Sequence, residues 1–461
     1  MKLSIPRTKL SCIASIGVAL AVLAGPIWAQ KQKPKPARYT VTDLGTVSGG
    51  AFSLAISVND KGIISGASAL PDGTQHAVLW QNGLITDIGA PGLGTPGLEG
   101  PNSEAYGINE KGEAAGGAET SSPDRNGEDF CGYGTGLQCL AFVWRDGVMT
   151  PLPTLGGNNG EAGLINNQGG VAGNAENTIM DSTCGPAAAP QKFQEKPVVW
   201  KDGEIEELPT FPGDPDGWAF GINDNNQVVG ASGICSALNE DTVVYILSRH
   251  ALFWDNGKMI DIGGLGGEGT VGPGNIAGEI NNQGQVVGTS DLPGDLTYHG
   301  FLWTEKAGIR DLGTLPGDFA SAGLGINDTG EIVGVSFDAG FNPTAAFLWY
   351  DGVMTDLNTL VSSDSPLYLL FAHGINSRGE IVGFGATSTG DIHAFLATPC
   401  DQNQADTERC QGDPEAAAVE RDETTVRPKI VLSENTRKLL HDYMWRHYHI
   451  SEAPKRVRKT E

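Results

Sequence analysis

The stretch INNQGQVVG (residues 280–288) decides the fold, because variants of it recur along the chain. Seven copies follow the pattern I-N-x-x-G-x-x-x-G, and their asparagines are Asn59, Asn109, Asn166, Asn223, Asn281, Asn327 and Asn376. The spacing of 46 to 58 residues is long for an ankyrin-type repeat. It is close to a four-stranded propeller blade of about 40–50 residues. The repetition therefore predicts seven similar units.

Two further motifs complete each unit. An apolar run such as HALFWDNG (250–257) follows every copy, and a short segment such as MIDIG (259–263) follows six of them. Continuous apolar runs of strand length indicate strands that are buried on both faces. The N-x-x-G and W-x-D/N-G turns predict tight hairpins, because Asn, Asp and Gly tolerate a positive φ. Each unit thus contains four strands, which we name a, b, c and d in chain order.

This pattern predicts an all-β fold, a seven-bladed β-propeller of four-stranded blades over residues 39–399. A β-helix would need shorter rungs, and a sandwich would not explain seven similar units. Six copies carry Ala four residues before the motif Asn, and Gly323 takes that place in the other. Such small residues indicate a crowded position in strand a, which is consistent with a place beside the central axis. The sequence leaves open whether strand a or strand d is innermost.

The two ends of the repeat region each contain half of a hairpin. YTVTDLG (39–45) is a strand d without its strand c, and HAFLATP (393–399) is a strand c without its strand d. Strands c and d are neighbours in the other units. We therefore expect Tyr39–Leu44 to pair with His393–Thr398 and to close the ring, which leaves no unpaired gap between the first and last blades.

The three motifs, recurring in order over most of residues 39–399, resemble the bacterial HAF extracellular repeat proteins. The family is named after the tripeptide His-Ala-Phe, which this chain contains literally at His393, Ala394 and Phe395. The resemblance implies a secreted repeat protein. The family is described by location and repeat, so the resemblance implies no active-site residues.

The N-terminus has the pattern of a secretory signal over residues 1–29. Lys2, Arg7 and Lys9 precede the apolar run CIASIGVALAVLAG. A membrane anchor is the alternative, but the run is short for a span of about 20 residues and a proline follows it. We expect cleavage, a basic linker over residues 30–38, an extracellular or periplasmic protein, and no integral membrane span in the mature chain.

Six cysteines remain in the mature chain, and the propeller suggests how they pair. Sequence alone permits 15 connectivities for six cysteines. In a propeller, Cys184 and Cys235 lie in the b–c connections of adjacent units. The predicted disulfides are Cys131–Cys139, Cys184–Cys235 and Cys400–Cys410, as a secreted chain favours. Metal ligation is disfavoured because the chain has no C-x-x-C pair.

The charge of the chain limits its partners. The formal net charge is −25, and basic residues concentrate at the two ends, so the repeats are more acidic than the whole. An acidic surface repels nucleic acids and anionic membranes. We expect a monomer whose partner is a protein or a polysaccharide and not a nucleic acid.

Candidate binding residues lie on the face of the long connections. In units two to four the b–c connections are the longest, over residues 117–139, 174–196 and 231–249, and long loops on a rigid scaffold often bind ligands. Carboxylates and one aromatic side chain fall on that face, as candidates for cation or sugar contacts: Asp214, Asp216, Trp218 as a stacking platform, Asp295 and Asp318. The sequence predicts no cofactor and no metal site, and calcium has only weak support because no EF-hand spacing is present.

Histidines occur in two kinds of place. His76, His250, His299 and His393 share one repeat position, which predicts a packing or hydrogen-bonding role. His373 instead lies in strand a of the last unit, where it could face a central channel. It completes the set of candidate ligand-binding residues.

The chain contains no catalytic motif of the nucleophile-elbow, zinc-protease or P-loop type. We therefore predict a binding scaffold of unknown ligand. The alternative is a secreted propeller enzyme, a glycan hydrolase or lyase, that uses carboxylates of the long-loop face.

The C-terminal part departs from the repeat. Residues 400–432 predict a polar linker with a cysteine pair, and residues 433–461 predict a helix followed by a basic tail. Ser433 is a candidate N-cap, and the apolar stripe contains Leu439, Leu440, Tyr443, Met444 and His447. This helix could dock on the propeller, bind a partner, or be unstructured alone.

Overall fold

The computed structural model describes most of the repeat region and part of the C-terminal segment. The described residues are Met1, 37–89, 97–184, 193–236, 245–269, 273–400, Leu432, Glu434, 436–440 and Tyr443. The predicted signal sequence after Met1, most of the basic linker and most of the tail lie outside these residues and stay predictions.

The fold is a seven-bladed β-propeller, as predicted. Seven separate antiparallel sheets of four strands follow one another along the chain. The first four blades are β2 (Ser53–Val58), β3 (Ile64–Ala69), β4 (Gln75–Gln81), β5 (Leu84–Asp87); β6 (Ser103–Ile108), β7 (Ala114–Pro123), β8 (Leu137–Arg145), β9 (Val148–Pro151); β10 (Gly160–Ile165), β11 (Val171–Met180), β12 (Phe193–Lys201), β13 (Glu204–Glu207); and β14 (Asp216–Ile222), β15 (Val228–Ser236), β16 (Tyr245–Asp255), β17 (Lys258–Asp261). The last three blades are β18 (Ile276–Ile280), β19 (Val286–Asp291), β20 (Tyr298–Thr304), β21 (Gly308–Gly313); β22 (Ala320–Ile326), β23 (Ile332–Phe337), β24 (Pro343–Tyr350), β25 (Val353–Asp356); and β26 (Tyr368–Ile375), β27 (Ile381–Ala386), β28 (Ile392–Pro399) with β1 (Tyr39–Asp43). Two single 3₁₀ turns, Val47–Gly49 and Leu357–Thr359, lie between strands.

The N-terminal strand closes the ring, as predicted. Strand β1 pairs antiparallel with β28, from Tyr39 opposite Pro399 to Asp43 opposite Phe395. Asp43 thus lies opposite the residue two positions after His393. In the fourth blade, Asp261 of strand d lies opposite Leu252, two positions after His250. Strand β1 therefore has the register of an ordinary strand d. Asp43 also accepts from His393 Nδ1 at 2.9 Å. The last blade is therefore built from both ends of the repeat region.

The recurring histidines have the hydrogen-bonding role that the sequence predicts. In four blades the imidazole of strand c lies 2.9–3.0 Å from a carboxylate of strand d in the same sheet. The pairs are His76–Asp87, His250–Asp261, His299–Asp311 and His393–Asp43. Because most of these carboxylates are partly exposed to solvent, each pair contributes roughly 0–1 kcal/mol to the free energy of unfolding.

Strand a is innermost, since the strand a of each blade contacts the strand a of both neighbouring blades. Each of these strands carries a β-bulge just after its conserved small residue. In the first blade Ala55 pairs with Gly66 and Ser57 with Ser65, so Ile56 is the extra residue. The motif glycine of strand b is required by this pairing. A Cβ on Gly66 would lie 1.9 Å from the Leu54 carbonyl oxygen, and the other six blades show the same approach at 1.9–2.3 Å.

The motif asparagines join the blades in a closed ring of hydrogen bonds. Each Asn Nδ2 donates to the backbone carbonyl of the corresponding Asn in the next blade, and the last donates to the first. The distances are 2.8 Å for Asn59 to Asn109, 3.0 Å for Asn109 to Asn166, 2.9 Å for Asn166 to Asn223, 3.0 Å for Asn223 to Asn281, 2.9 Å for Asn281 to Asn327, 3.1 Å for Asn327 to Asn376 and 3.1 Å for Asn376 to Asn59. Each Oδ1 accepts from two backbone amides of its own turn, as Asn59 does from Lys61 and Ile63.

The reason we gave for the motif Asn is therefore incomplete. The positive φ of the a–b turn belongs to its fourth residue, such as Gly62 at 71°, and Asn226 takes that place in the fourth blade at 58°. The motif Asn instead supplies one donor and one acceptor. The c–d turns follow the prediction, because both Asn82 (51°) and Gly83 (76°) have positive φ.

The long b–c connections of the second to fourth blades begin and end as strand. In the described residues, strands b and c of these blades extend to 9–11 residues, and we call each extended pair with its connection an arm. The Cys131–Cys139 disulfide lies in the arm of the second blade, and Cys184–Cys235 joins the third blade to the fourth with 4.8 Å between Cα atoms. Both pairs confirm the prediction. Cys410 lies outside the described residues, so its pairing with Cys400 stays a prediction.

The C-terminal helix docks on the propeller. Glu434, residues 436–440 and Tyr443 are helical, and Leu440 and Tyr443 are 2% and 1% exposed. They pack in a cluster with Phe371 and Phe384 of the seventh blade and with residues of the first and sixth. Thr436 Oγ1 donates to the Gly390 carbonyl at 2.8 Å. Of the three alternatives for this segment, the structure shows docking. Across the described parts of the chain, no helix has the length and hydropathy of a bilayer span.

Candidate functional site

A cavity of about 260 Å³ lies on the propeller axis. The bulge residues of the seven inner strands form its wall: Ile56, Tyr106, Gly163, Phe220, Gly278, Leu324 and His373. A bulge re-aims one side chain out of the regular alternation. The same bulge in every blade therefore directs one residue per blade toward the axis. The arm residues 128–132 and Tyr443 of the C-terminal helix also border the cavity.

One side of the cavity is acidic. Glu161 of β10 accepts a hydrogen bond from the Tyr106 hydroxyl of the preceding blade at 2.7 Å. Glu195 of β12 accepts from the Trp218 indole N–H at 2.6 Å and from Asn174 Nδ2 at 2.9 Å. Both carboxylates border the cavity, and their partners fix where they point.

Burial changes the protonation of these acids. Burial raises the pKa of Glu195 to about 7, and the nearby Glu128 and Glu161 carboxylates add to the effect. Glu279 of β18 also borders the cavity, and burial raises its pKa to about 8. Behind them, burial together with Glu128 and Glu195 raises the pKa of Glu176 to about 9. The acidic side therefore changes charge near neutral pH.

The other side of the cavity is neutral. His373 Nε2 lies 3.0 Å from the Tyr443 hydroxyl in a buried hydrogen bond. Burial lowers the pKa of His373 to about 3, so its imidazole is uncharged. Ile56 and Leu324 continue this side with apolar surface. The docked helix thus covers the neutral side, and the acids lie on the second to fifth blades.

The structure separates the predicted binding residues into two groups. Trp218 and His373 border the cavity, although Trp218 is only 4% exposed and holds Glu195 through its indole N–H. The four aspartates lie elsewhere. Asp214 accepts from the Ser232 hydroxyl at 2.7 Å, and Asp216 accepts from the backbone N–H groups of Glu195 and Cys235.

The remaining two aspartates lie in surface connections. Asp295 accepts from the Glu268 N–H at 2.8 Å, and Asp318 accepts from the Thr344 hydroxyl at 2.6 Å. Ligand binding by all six predicted residues stays a prediction. The geometry brings Trp218 and His373 into one site and keeps the aspartates outside it.

One group of potential metal ligands with closely spaced atoms occurs in the described segments. It contains Asp181, Cys184 and Cys235. Because the two cysteines are joined in a disulfide, their sulfurs are not thiolate ligands. This group therefore does not form a metal site, and calcium binding stays an untested prediction.

Sequence reasoning missed several residues of the cavity, namely Tyr106, Glu128, Glu161, Glu195, Glu279 and Tyr443. Two of them leave a signal when the repeats are aligned. Glu161 lies just before the conserved Ala, where five of the other blades are apolar or aromatic, and Glu279 lies two residues after it, where four blades have Gly. A departure from the repeat consensus next to the axis marks a residue that the fold itself does not require.

Comparisons with known proteins add little beyond the fold. No family model and no curated protein matches the chain. Solved propeller-containing chains are similar, among them the β-propeller domain of the Trilobed protease from Pyrococcus furiosus, at 12% identity over 67% of this chain and 96% of that one, with a TM-score of 0.32. The acylaminoacyl peptidase of Pyrococcus horikoshii matches at 13% identity over 74% of this chain and 58% of that one, with a TM-score of 0.36. The Aleuria aurantia lectin, in complex with Fucα1-6GlcNAc, matches at 10% identity over 77% of this chain and all of its own, with a TM-score of 0.31. Likenesses this distant transfer no function.

Proposed function

We propose that this protein is a secreted binding scaffold whose ligand occupies the axial cavity. The cavity itself carries the proposal, because proteins bind small ligands mostly in concave, largely apolar sites with a few convergent polar groups. Five of the seven bulges direct a different side chain toward one space, and the other two place Gly163 and Gly278 there. The residue at the bulge therefore differs among most blades, whereas the turn and strand motifs repeat.

The fit of the cavity to a ligand can be tested by filling it. Gly278 lies in the wall, and a Cβ built there meets nothing closer than 3.7 Å. Phe220 and Leu324 occupy the equivalent position in other blades, so Gly278→Phe adds bulk at the axis without straining the frame. A matched control is Val353→Phe, which adds bulk on outer strand β25 at a side chain that is 43% exposed.

A glycan array probed with the three proteins gives the measurement. We expect the wild type and Val353→Phe to bind the same glycans, and Gly278→Phe to lose that binding. Equal binding by all three proteins would contradict the axial site. Melting curves of the variants confirm that each is folded.

The glycan-hydrolase alternative has one observation in its favour. Glu161 and Glu195 border the same cavity, and burial raises the pKa of Glu195 to about 7. Acid–base hydrolysis of a glycosidic bond uses a pair of carboxyl groups, of which the general acid has a raised pKa. Release of reducing ends from bound glycans by the wild type and not by Glu195→Gln would favour this alternative. Binding without release favours the scaffold.

A further inference from the structure

We propose that the axial cavity selects ligands that carry an ammonium group, such as an amino sugar or a polyamine. This inference rests on the proposed function, because it names the chemical class that the same cavity takes. Three features of the wall carry it: its charged side chains, its aromatic side chains, and the division between an acidic and a neutral side.

The charged lining residues have one sign. Among the described residues that border the cavity, the acidic side chains are Glu128, Asp129, Glu161, Glu195 and Glu279, and none is Lys or Arg. A low-dielectric cleft lined by one sign of charge attracts the opposite charge more strongly than open water does. An anionic ligand is therefore disfavoured here, and an ammonium group is stabilised by a carboxylate in contact with it.

Aromatic side chains add a second preference for a cation. Tyr106, Phe130, Phe220 and Tyr443 border the same space. Aromatic rings attract ammonium groups that lie over their faces within about 6 Å. Because Ile56 and Leu324 line the opposite, neutral side, the wall also accommodates the carbon skeleton of an organic amine. Apolar side chains of this kind do not coordinate a bare metal ion.

Proton release accompanies the binding of a cation in this site. Glu195 faces acidic groups from every element around it, namely Glu128 from the arm of the second blade, Glu161 and Glu176 from its own blade, and Asp216 from the fourth. An ammonium group favours the ionised carboxylates. Affinity for an amine that stays protonated is thus expected to rise between pH 6 and pH 9, as Glu195 and Glu279 lose their protons.

Calorimetric titration with matched probes tests the inference. The probes are glucosamine against glucose, and putrescine against 1,4-butanediol; within each pair the two differ in charge and little in shape. We expect at least one amine to bind at least about tenfold more tightly than its neutral partner. Which amine binds distinguishes a sugar source from a polyamine source. Putrescine, whose amines resemble the Lys ammonium with a pKa near 10.4, also serves for the pH series.

Three variants locate the effect. Glu195→Gln and Glu161→Gln keep the shape of the side chain and remove one charge, so the Kd of the bound amine should rise about tenfold in each. Glu268→Gln removes one charge from an exposed residue outside the cavity lining and should leave the Kd unchanged. If the two cavity variants and Glu268→Gln behave alike, the amine binds to the general acidic surface and the inference is wrong.

The outcomes separate this inference from the proposed function. If glucose or butanediol binds as well as its amine, and Gly278→Phe abolishes that binding, the cavity is the site but it does not select for charge. If amine binding survives Gly278→Phe, the cavity is not the site and both proposals fail. If none of the four probes binds, the ammonium inference is overturned, and the glycan array decides the proposed function alone.

Discussion

The ring of asparagines gives the sharpest test of how the blades are held together. Asn59 is 3% exposed. Its Nδ2 donates to the Asn109 carbonyl at 2.8 Å, and its Oδ1 accepts from the Lys61 and Ile63 amides at 3.0 and 2.9 Å. The substitution Asn59→Asp keeps the size and both acceptor contacts. It removes only the donor to the next blade.

The expected loss of stability comes from the Asn109 carbonyl, which no longer receives a hydrogen bond from residue 59. A buried carbonyl without a donor costs about 1–3 kcal/mol of stability, and a carboxylate facing that carbonyl adds repulsion. We therefore expect the free energy of unfolding of Asn59→Asp to be lower by at least about 1–3 kcal/mol at pH 8, measured by urea denaturation. The introduced carboxyl can donate only when protonated, so its pKa should be raised in the folded state. The loss should then shrink as the pH falls from 8 toward 4.

A matched control has the same chemistry at a different place. Asn82 lies in an exposed c–d turn with φ 51°, and Asp146 and Asp202 occupy the same turn position at 50° and 53°. Asn82→Asp should therefore change the stability by less than about 0.5 kcal/mol. Equal urea midpoints for Asn59→Asp and Asn82→Asp would refute the reasoning that the ring stabilises the propeller through its donors.

Three further predictions concern the closure, the helix and the buried acids. Deletion of residues 39–45 removes β1 and its pairing with β28, so it should lower the melting temperature of the whole propeller in one transition; an unchanged melting curve would contradict the closure. Truncation after Lys429 removes Leu440 and Tyr443 from their cluster with Phe371 and Phe384 and should reduce stability, whereas an unaltered urea midpoint would argue against docking. Burial raises the pKa values of Glu195, Glu279 and Asp291 to about 7, 8 and 7, respectively. The folded state therefore favours the neutral forms of these acids. The stability that they contribute is complete below pH 4 and is lost as the pH rises through 7 to 8. The urea midpoint should accordingly be lower at pH 9 than at pH 6, and Glu279→Gln should weaken that dependence; a midpoint that rises over this range would show the sign to be wrong.

Features that repeat could be predicted from the sequence, because each copy confirms the others. The four strands per blade, the tight turns and the pairing of Tyr39–Asp43 with the last strand are all read from short motifs and their spacing. The role of the motif Asn was only partly predictable. Its Oδ1 acts within its own turn, but its Nδ2 reaches a carbonyl about fifty residues away, which no local pattern encodes.

The cavity was harder to predict, because it depends on where the repeats differ. His373 could be found by comparing one position across the units, and Glu161 and Glu279 lie on either side of that position. Glu195 lies in an extended part of β12 for which the blades offer no common alignment. Tyr443 reaches His373 from a helix seventy residues further along the chain. Its apolar stripe predicted a helix, but only three-dimensional packing places that helix beside the axis.

The most direct test of the central claim is the position of a bound amine. Crystals soaked with glucosamine or putrescine, at the concentration that saturates the calorimetric titration, should show the ligand on the propeller axis. Its nitrogen should lie within hydrogen-bond distance of Glu161, Glu195 or Glu279, and Gly278→Phe crystals should show none there. A saturating ligand found on the outer face of the blades, with the axial cavity empty of it, would contradict the account.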